Sequence, residues 1–220
     1  MIILTGPPGA GKSTVAQLLA DHLTPSVHLH SDDFWRFIKQ GWIAPYLPEA
    51  HQQNQVVLQV LVSAAFGYAD GGYQVICDGI VGPWFIDLFR VTAQERALPL
   101  SYVILRPGQR TTLERATNRA GDALTDPEPI RSLHDQFSNL GAYEAHVLDS
   151  TNLTAEATAD SILQGVAKGA YLLNPSDSTT DANNPIHNSC QWLPSRRRRT
   201  SSPLCCPTLG CRRRGTGERR

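Results

Sequence analysis

The stretch "GPPGAGKST", Gly6 to Thr14, constrains this chain more than any other. Gly6, Gly11, Lys12 and Ser13 stand at the G-x-x-x-x-G-K-S spacing of a phosphate-binding loop. Gly6, Gly9 and Gly11 permit backbone turns that aim successive N–H groups at an anion, and Pro7, Pro8 and Ala10 complete the loop. A helix opening near Lys12 and carrying Thr14 adds its positive dipole end. Lys12 is expected at the β- and γ-phosphates, and the Ser13 hydroxyl is expected to ligate Mg²⁺. The loop predicts a bound nucleoside triphosphate. By itself it leaves open whether phosphate is transferred, hydrolysed or only held.

The surroundings predict an α/β fold. "MIILT" is a short apolar, β-branched run ahead of the loop, and Val15, Leu18, Leu19 and Leu23 share one helical face behind it. Further strands are predicted at 26–30, 73–78, 100–106 and within 144–150. Helices are predicted at 53–69, with Val57, Val60, Leu61, Ala64 and Tyr68 on one face, at 109–120, and at 154–172 with Ile162, Val166 and Tyr171. Five short apolar strands alternating with helices imply a parallel sheet covered on both faces, a three-layer arrangement.

Charge divides the chain at residue 174. Residues 1–173 hold 11 Lys/Arg and 17 Asp/Glu, net −6, whereas 174–220 hold 9 and 3, net +6. The second stretch is polar and Pro-bearing, with the arginine runs "SRRRRTSSP" and "CRRRGTGERR", and lacks the apolar material for a core. The expectation is a domain over 1–173 and a basic, disordered tail over 174–220. Cys77 is the one thiol of the domain, so a disulfide scaffold is excluded and a cytoplasmic home is the default. No apolar run of about 18 residues predicts a membrane span, and no Cys/His spacing predicts zinc.

Three carboxylates follow predicted strands. Asp32 and Asp33 close the second, at the sheet edge where open parallel sheets bind ligands. One of them suits proton abstraction from an attacking hydroxyl; the other suits a cap on a helix beginning near Phe34. Phe34, Trp35, Arg36 and Lys39 frame the same site, and the stretch 34–50 supplies Trp35, Trp42 and Tyr46 as candidate acceptor walls. Asp78 ends the third strand, the place for the carboxylate of a Mg²⁺ shell. The segment 79–85 reads as a loop bringing Trp84 and Phe85 toward the acceptor. Arg115 and Arg119 stack one turn apart, a like-charge pair that an anion between them would stabilise. Arg119 is followed by Gly121 and a Pro-broken loop, which makes 115–130 a candidate lid closing an arginine on a transferring phosphoryl group.

These elements together resemble the P-loop kinases of the nucleoside-monophosphate-kinase type, a superfamily that includes shikimate, gluconate and chloramphenicol phosphotransferases and 5′-hydroxyl polynucleotide kinases. The resemblance covers roughly residues 1–172. It implies a P-loop fold with a five-stranded parallel sheet and an arginine-bearing helical lid, ATP with Mg²⁺, and transfer of the γ-phosphate to a hydroxyl. It also implies Asp32 as general base, Lys12 and Arg119 as catalytic cations, and Arg115 on the nucleotide phosphates. Ser13 and Asp78 fall at the metal, while Asp33, Trp35, Arg36 and Trp84 frame the acceptor. "HSDD" and "ERATNRAG" are similar to polynucleotide kinases, but those carry an arginine three residues after the first aspartate, where this chain has Trp35. The acidic domain also argues against a phosphate-tracking groove. The sequence therefore points to a small hydroxyl-bearing substrate, with a polynucleotide kinase and an ATP-hydrolysing AAA-type switch as the rival readings. It does not speak to oligomeric state.

Overall fold

In the computed structural model, the described residues are 1–118 and 124–173. Five strands form one sheet in the order β2-β3-β1-β4-β5: β1 (Ile2–Thr5), β2 (Ser26–His30), β3 (Gln74–Asp78), β4 (Ser101–Leu105) and β5 (Val147–Leu148). Every pairing between them is parallel.

Both faces of the central strands are apolar because both are covered. On β1, Ile2 and Leu4 enter one core with Ile76, Val103 and Leu105. Helices α1 (Lys12–His22) and α7 (Ala155–Ala167) close that core with Val15, Ala16, Leu19 and Ile162. Ile3 faces the other way, into a core with Val75, Cys77, Tyr102 and Ile104. Helices α3 (His51–Asp70) and α4 (Pro83–Glu95) close it with Leu58, Leu61, Phe66, Ile86 and Phe89. Burying one such Leu or Phe contributes about 1.5–3 kcal/mol. Burial also pushes the Cys77 thiol up to about 12, which leaves it inert.

Four elements differ from the sequence expectation. The buried face of α3 is Val57, Leu58, Leu61, Val62, Ala65 and Phe66, while Val60 is 53% exposed and Tyr68 also faces solvent. The expected stripe of Val57, Val60, Leu61, Ala64 and Tyr68 kept the correct period. It selected the wrong edge because the helix is apolar on more than one side. Helix α2 (Ser31–Arg36) begins earlier than expected, with His30 at its cap position, so neither Asp32 nor Asp33 is the cap; both lie in the first turn. The segment 79–85 is only partly a loop: Pro83 starts α4, a position that suits its fixed φ and missing N–H, and Trp84 and Phe85 are helical. The last helix stops at Ala167, and Leu172 then forms an antiparallel bridge to Ser101.

Helix α5 (Gln109–Thr117) follows β4, and α6 (Pro127–Gln136) is capped by Asp126, whose side chain accepts from the Glu128 N–H. The expected tail over 174–220 lies outside the described residues. No helix among the described residues is long and apolar enough to cross a membrane.

Candidate nucleotide and acceptor site

The phosphate loop is held from two sides at its glycines. Gly6 has φ 145°, and a Cβ there would fall 2.1 Å from the Leu105 carbonyl oxygen at the end of β4. Gly9 has φ 87°, and a Cβ there would fall 2.3 Å from the Thr112 carbonyl oxygen on α5. Side chains are excluded at both positions by conformation and by space. The loop is thus wedged between β4 and α5, and Pro7, Pro8, Gly9 and Ala10 are all buried. Lys12 is 7% exposed, and its Nζ donates to the carbonyls of Gly6 at 2.9 Å and Pro7 at 3.0 Å. The ammonium therefore lies along the rim of the anion cradle. Thr14 is exposed one residue beyond Ser13.

Asp78 ends β3 with a fully buried side chain and three donors around it. The Ser13 hydroxyl donates to Oδ2 at 2.7 Å. His28 Nε2 lies 2.7 Å and His30 Nδ1 3.0 Å from Oδ1. Burial alone would push this carboxyl up. The hydrogen bonds from His28, His30 and Ser13 outweigh it and hold the group well below the usual carboxylate range. In turn, the hydrogen bond to Asp78 raises the His30 imidazole against its partial burial. Ser13 and Asp78 thus present an ionised carboxylate and a hydroxyl, both hard oxygen donors, in contact below the phosphate loop. That donor chemistry fits Mg²⁺.

The loop after β3 is braced by two hydroxyls. The Val81 N–H donates to Thr5 Oγ1 at 2.9 Å, and the Tyr102 hydroxyl donates to the Val81 carbonyl at 2.7 Å. Beside it, a Cβ on Gly79 would fall 1.7 Å from Ser31 Oγ, so this glycine lets the start of α2 close onto the end of β3.

Asp32 projects from the first turn of α2 with its side chain 64% exposed, and its Oδ2 is 3.8 Å from His30 Nε2. Asp33 pairs instead with Arg36 at 3.1 Å, a solvent-exposed contact of small energetic weight. Trp35 turns inward: its indole N–H donates to Asn54 Oδ1 at 2.8 Å, and the ring packs on the α3 core. Asn54 Nδ2 donates to the Pro45 carbonyl at 2.8 Å, and Gln53 holds both the N–H and the C=O of Ile43. Trp42 and Tyr46 on the segment so held are exposed. Trp84 is half-buried, its ring 5.7 Å from that of Phe137.

On α5, Arg115 is exposed in the last turn, and Arg110 pairs with Glu114 at 2.8 Å. Arg119 lies outside the described residues. The structure therefore brings Lys12, Ser13 and Asp78 together and sets Asp32 at the same sheet edge. Trp35 and Trp84 are placed mainly against the protein interior. Sequence reasoning missed His28, His30, Thr5 and Tyr102. The alternation H-x-H on a strand leading into "SDD" was the available signal for the first two.

The AAA domain family matches residues 1–140. Among curated proteins, the chain is 32% identical over 74 residues to the Holliday junction branch migration complex subunit RuvB of Thermotoga petrophila. That match covers 29% of this chain and 22% of the relative, so the chain spans about a fifth of that protein's length. Among solved structures, shikimate kinase from Acinetobacter baumannii in complex with shikimate is 26% identical with a TM-score of 0.52. That alignment covers 76% of this chain and 93% of the kinase. A gluconokinase from Sinorhizobium meliloti 1021 has a TM-score of 0.56 over 77% of this chain and 92% of its own. At 16% identity it shows likeness of fold alone.

Proposed function

The chain belongs to the AAA domain family and has the P-loop kinase fold, and from that premise we propose that it transfers the γ-phosphate of ATP to a hydroxyl of a small molecule. One observation carries the reading. A buried, ionised Asp78 in contact with Ser13 lies beneath the phosphate loop, and a second carboxylate, Asp32, stands exposed at the same sheet edge. Nucleotide holding needs only the first; a carboxylate facing solvent next to it has the position of a base toward an incoming hydroxyl.

Each residue then has a task. The backbone N–H groups of Gly6–Ser13 cradle the phosphates. Lys12 leaves the carbonyls of Gly6 and Pro7 for the β- and γ-phosphate oxygens, exchanging two neutral acceptors for charged ones. Ser13 and Asp78 would hold Mg²⁺, which when bound would neutralise phosphate charge. Asp32 takes the proton of the acceptor hydroxyl on its carboxylate. Arg115, and Arg119 beyond it, close on the phosphoryl oxygens from the lid side. Asp33 with Arg36, and the segment 37–50, shape the acceptor approach, with Trp35 and Trp84 supporting it from below.

The test is transfer of labelled γ-phosphate from Mg·ATP to a panel of hydroxylated metabolites and antibiotics, with a 5′-hydroxyl oligonucleotide alongside and Lys12→Ala as blank. Label on a small alcohol supports the reading. Label on the oligonucleotide alone replaces it with a nucleic-acid kinase. The similarity to RuvB over 74 residues favours one rival, an ATP-hydrolysing switch. Phosphate release that no acceptor changes would replace the kinase reading with that one.

A further inference from the structure

His28 and His30 are two residues apart on β2 and so lie on one face of the strand. In the parallel register His30 sits opposite Asp78, and both imidazoles converge on the same carboxylate oxygen. They differ in their second nitrogen. His30 Nε2 faces Asp32 Oδ2 at 3.8 Å, an ion-pair distance outside hydrogen-bond range. Among the described residues, this is the charged contact recorded for Asp32, an ion pair when both ring nitrogens of His30 carry protons.

The arrangement addresses a weakness of Asp32. A carboxylate in the first turn of a six-residue helix, mostly in solvent, samples several rotamers, whereas a base must meet its proton within a narrow geometry. Asp78 has the opposite character, being buried and fixed by three donors. An imidazole touching both, with a proton on each ring nitrogen, links the position of the fixed carboxylate to that of the exposed one. Partners that orient metal-ligating residues are worth about 10- to 100-fold in affinity or activity, and an effect of that size is expected for a group that orients a base.

We propose that His30 is a positioning residue that ties Asp32 to Asp78, and that His28 serves Asp78 alone. This rests on the phosphotransferase reading for its role in turnover, but the tie itself is a property of the folded chain. It sets the acceptor-side carboxylate at a constant distance from the metal-side pair Ser13–Asp78, so both ends of the reaction share one anchor.

The test uses the full chain as wild type, His28→Gln, His30→Asn, Asp32→Asn and the double variant His30→Asn/Asp32→Asn. The first readout is the imidazole ¹⁵N spectrum at fixed pH, which needs neither acceptor nor turnover. Asp32→Asn is expected to shift the His30 Nε2 resonance and leave both His28 resonances in place. An unmoved His30 Nε2 overturns the tie. The second readout is binding of N-methylanthraniloyl-ATP with Mg²⁺, and the third is Mg·ATP turnover with water as acceptor. His30→Asn keeps an N–H donor near the Nδ1 position for Asp78 and removes the arm to Asp32. It is expected to bind nucleotide within about twofold of wild type while turning over about 10- to 100-fold more slowly. His28→Gln keeps a donor near the Nε2 position and is expected to leave the His30 Nε2 resonance where it is.

The double variant is expected to be no more than about twofold slower than Asp32→Asn, because the two losses share one cause. Fully additive losses overturn the proposal, and so does His30→Asn weakening nucleotide binding as much as it slows turnover. A wild type that turns nothing over, yet shows the ¹⁵N shift, removes the kinase reading and keeps the tie.

Discussion

On the phosphate side of the site, Lys12 and Asp78 are buried and tied to the loop, to α1 and to β2 by hydrogen bonds of 2.7–3.0 Å. On the acceptor side, Asp32, Asp33 and Arg36 stand in solvent, and the nearby aromatic rings are either drawn into the protein, like Trp35, or exposed, like Trp42. On the proposed phosphotransferase reading, the contrast follows from what each half would bind. Triphosphate has one shape, so a rigid cradle of backbone N–H groups serves it at no cost in adaptability. A hydroxyl acceptor differs from one enzyme to another, and a half that would take one is expected to be built, as here, from side chains on a short helix and an irregular segment.

The contrast predicts a graded response to mutation. Lys12→Ala has the largest effect and abolishes labelled phosphate transfer, because one group serves both binding and the charge of the transition state. Asp32→Asn lowers turnover by about 10²- to 10³-fold with nucleotide binding intact, seen as a fall in kcat without loss of N-methylanthraniloyl-ATP affinity. Equal loss of both would place Asp32 in the phosphate half and dissolve the distinction.

Asp78→Asn tests the buried half by stability. The native carboxyl sits below its ordinary value and the unfolded chain binds the proton first, so its contribution is full above about pH 4 and is lost as pH falls toward the native value. Urea midpoints should drop more steeply between pH 5 and pH 3, both about where carboxylates protonate, in wild type than in Asp78→Asn. At neutral pH the variant should be about 1.5–3 kcal/mol less stable. Gly9→Ala should cost about 1–3 kcal/mol, because its Cβ enters the space of the Thr112 carbonyl at a left-handed φ. Smallest is Phe37→Ser, where a 70% exposed ring on the acceptor side is replaced, with a change in unfolding free energy within about 0.5 kcal/mol.

The same contrast explains what was legible in the sequence. The strands of the sheet, its parallel pairing and the phosphate loop follow from local signals: β-branched apolar runs, fixed glycine spacing and a helix-period stripe behind Lys12. Asp78 was legible as the residue ending a strand. Its histidine partners were signalled only as an H-x-H alternation, and their partnership with Asp78 was hidden because the pairing of His30 with Asp78 joins residues 48 apart through strand register. Trp35 read as an acceptor wall because exposure and burial cannot be separated for a lone aromatic on a short helix; its N–H partner, Asn54, lies 19 residues on. The face of α3 was misjudged for a related reason. Val60 is as apolar as Val62, and only the position of the sheet distinguishes them.

Gln53 and Asn54 grip the segment ahead of α3 solely through main-chain groups, the N–H and C=O of Ile43 and the C=O of Pro45. Every residue type except proline offers the first pair and every residue type offers the last. The grip is therefore indifferent to the identities at 42, 44, 46 and 47. That stretch behaves as an exchangeable cassette. Descent or a designer can rewrite its exposed face while the bolts that fasten it to the scaffold stay in place.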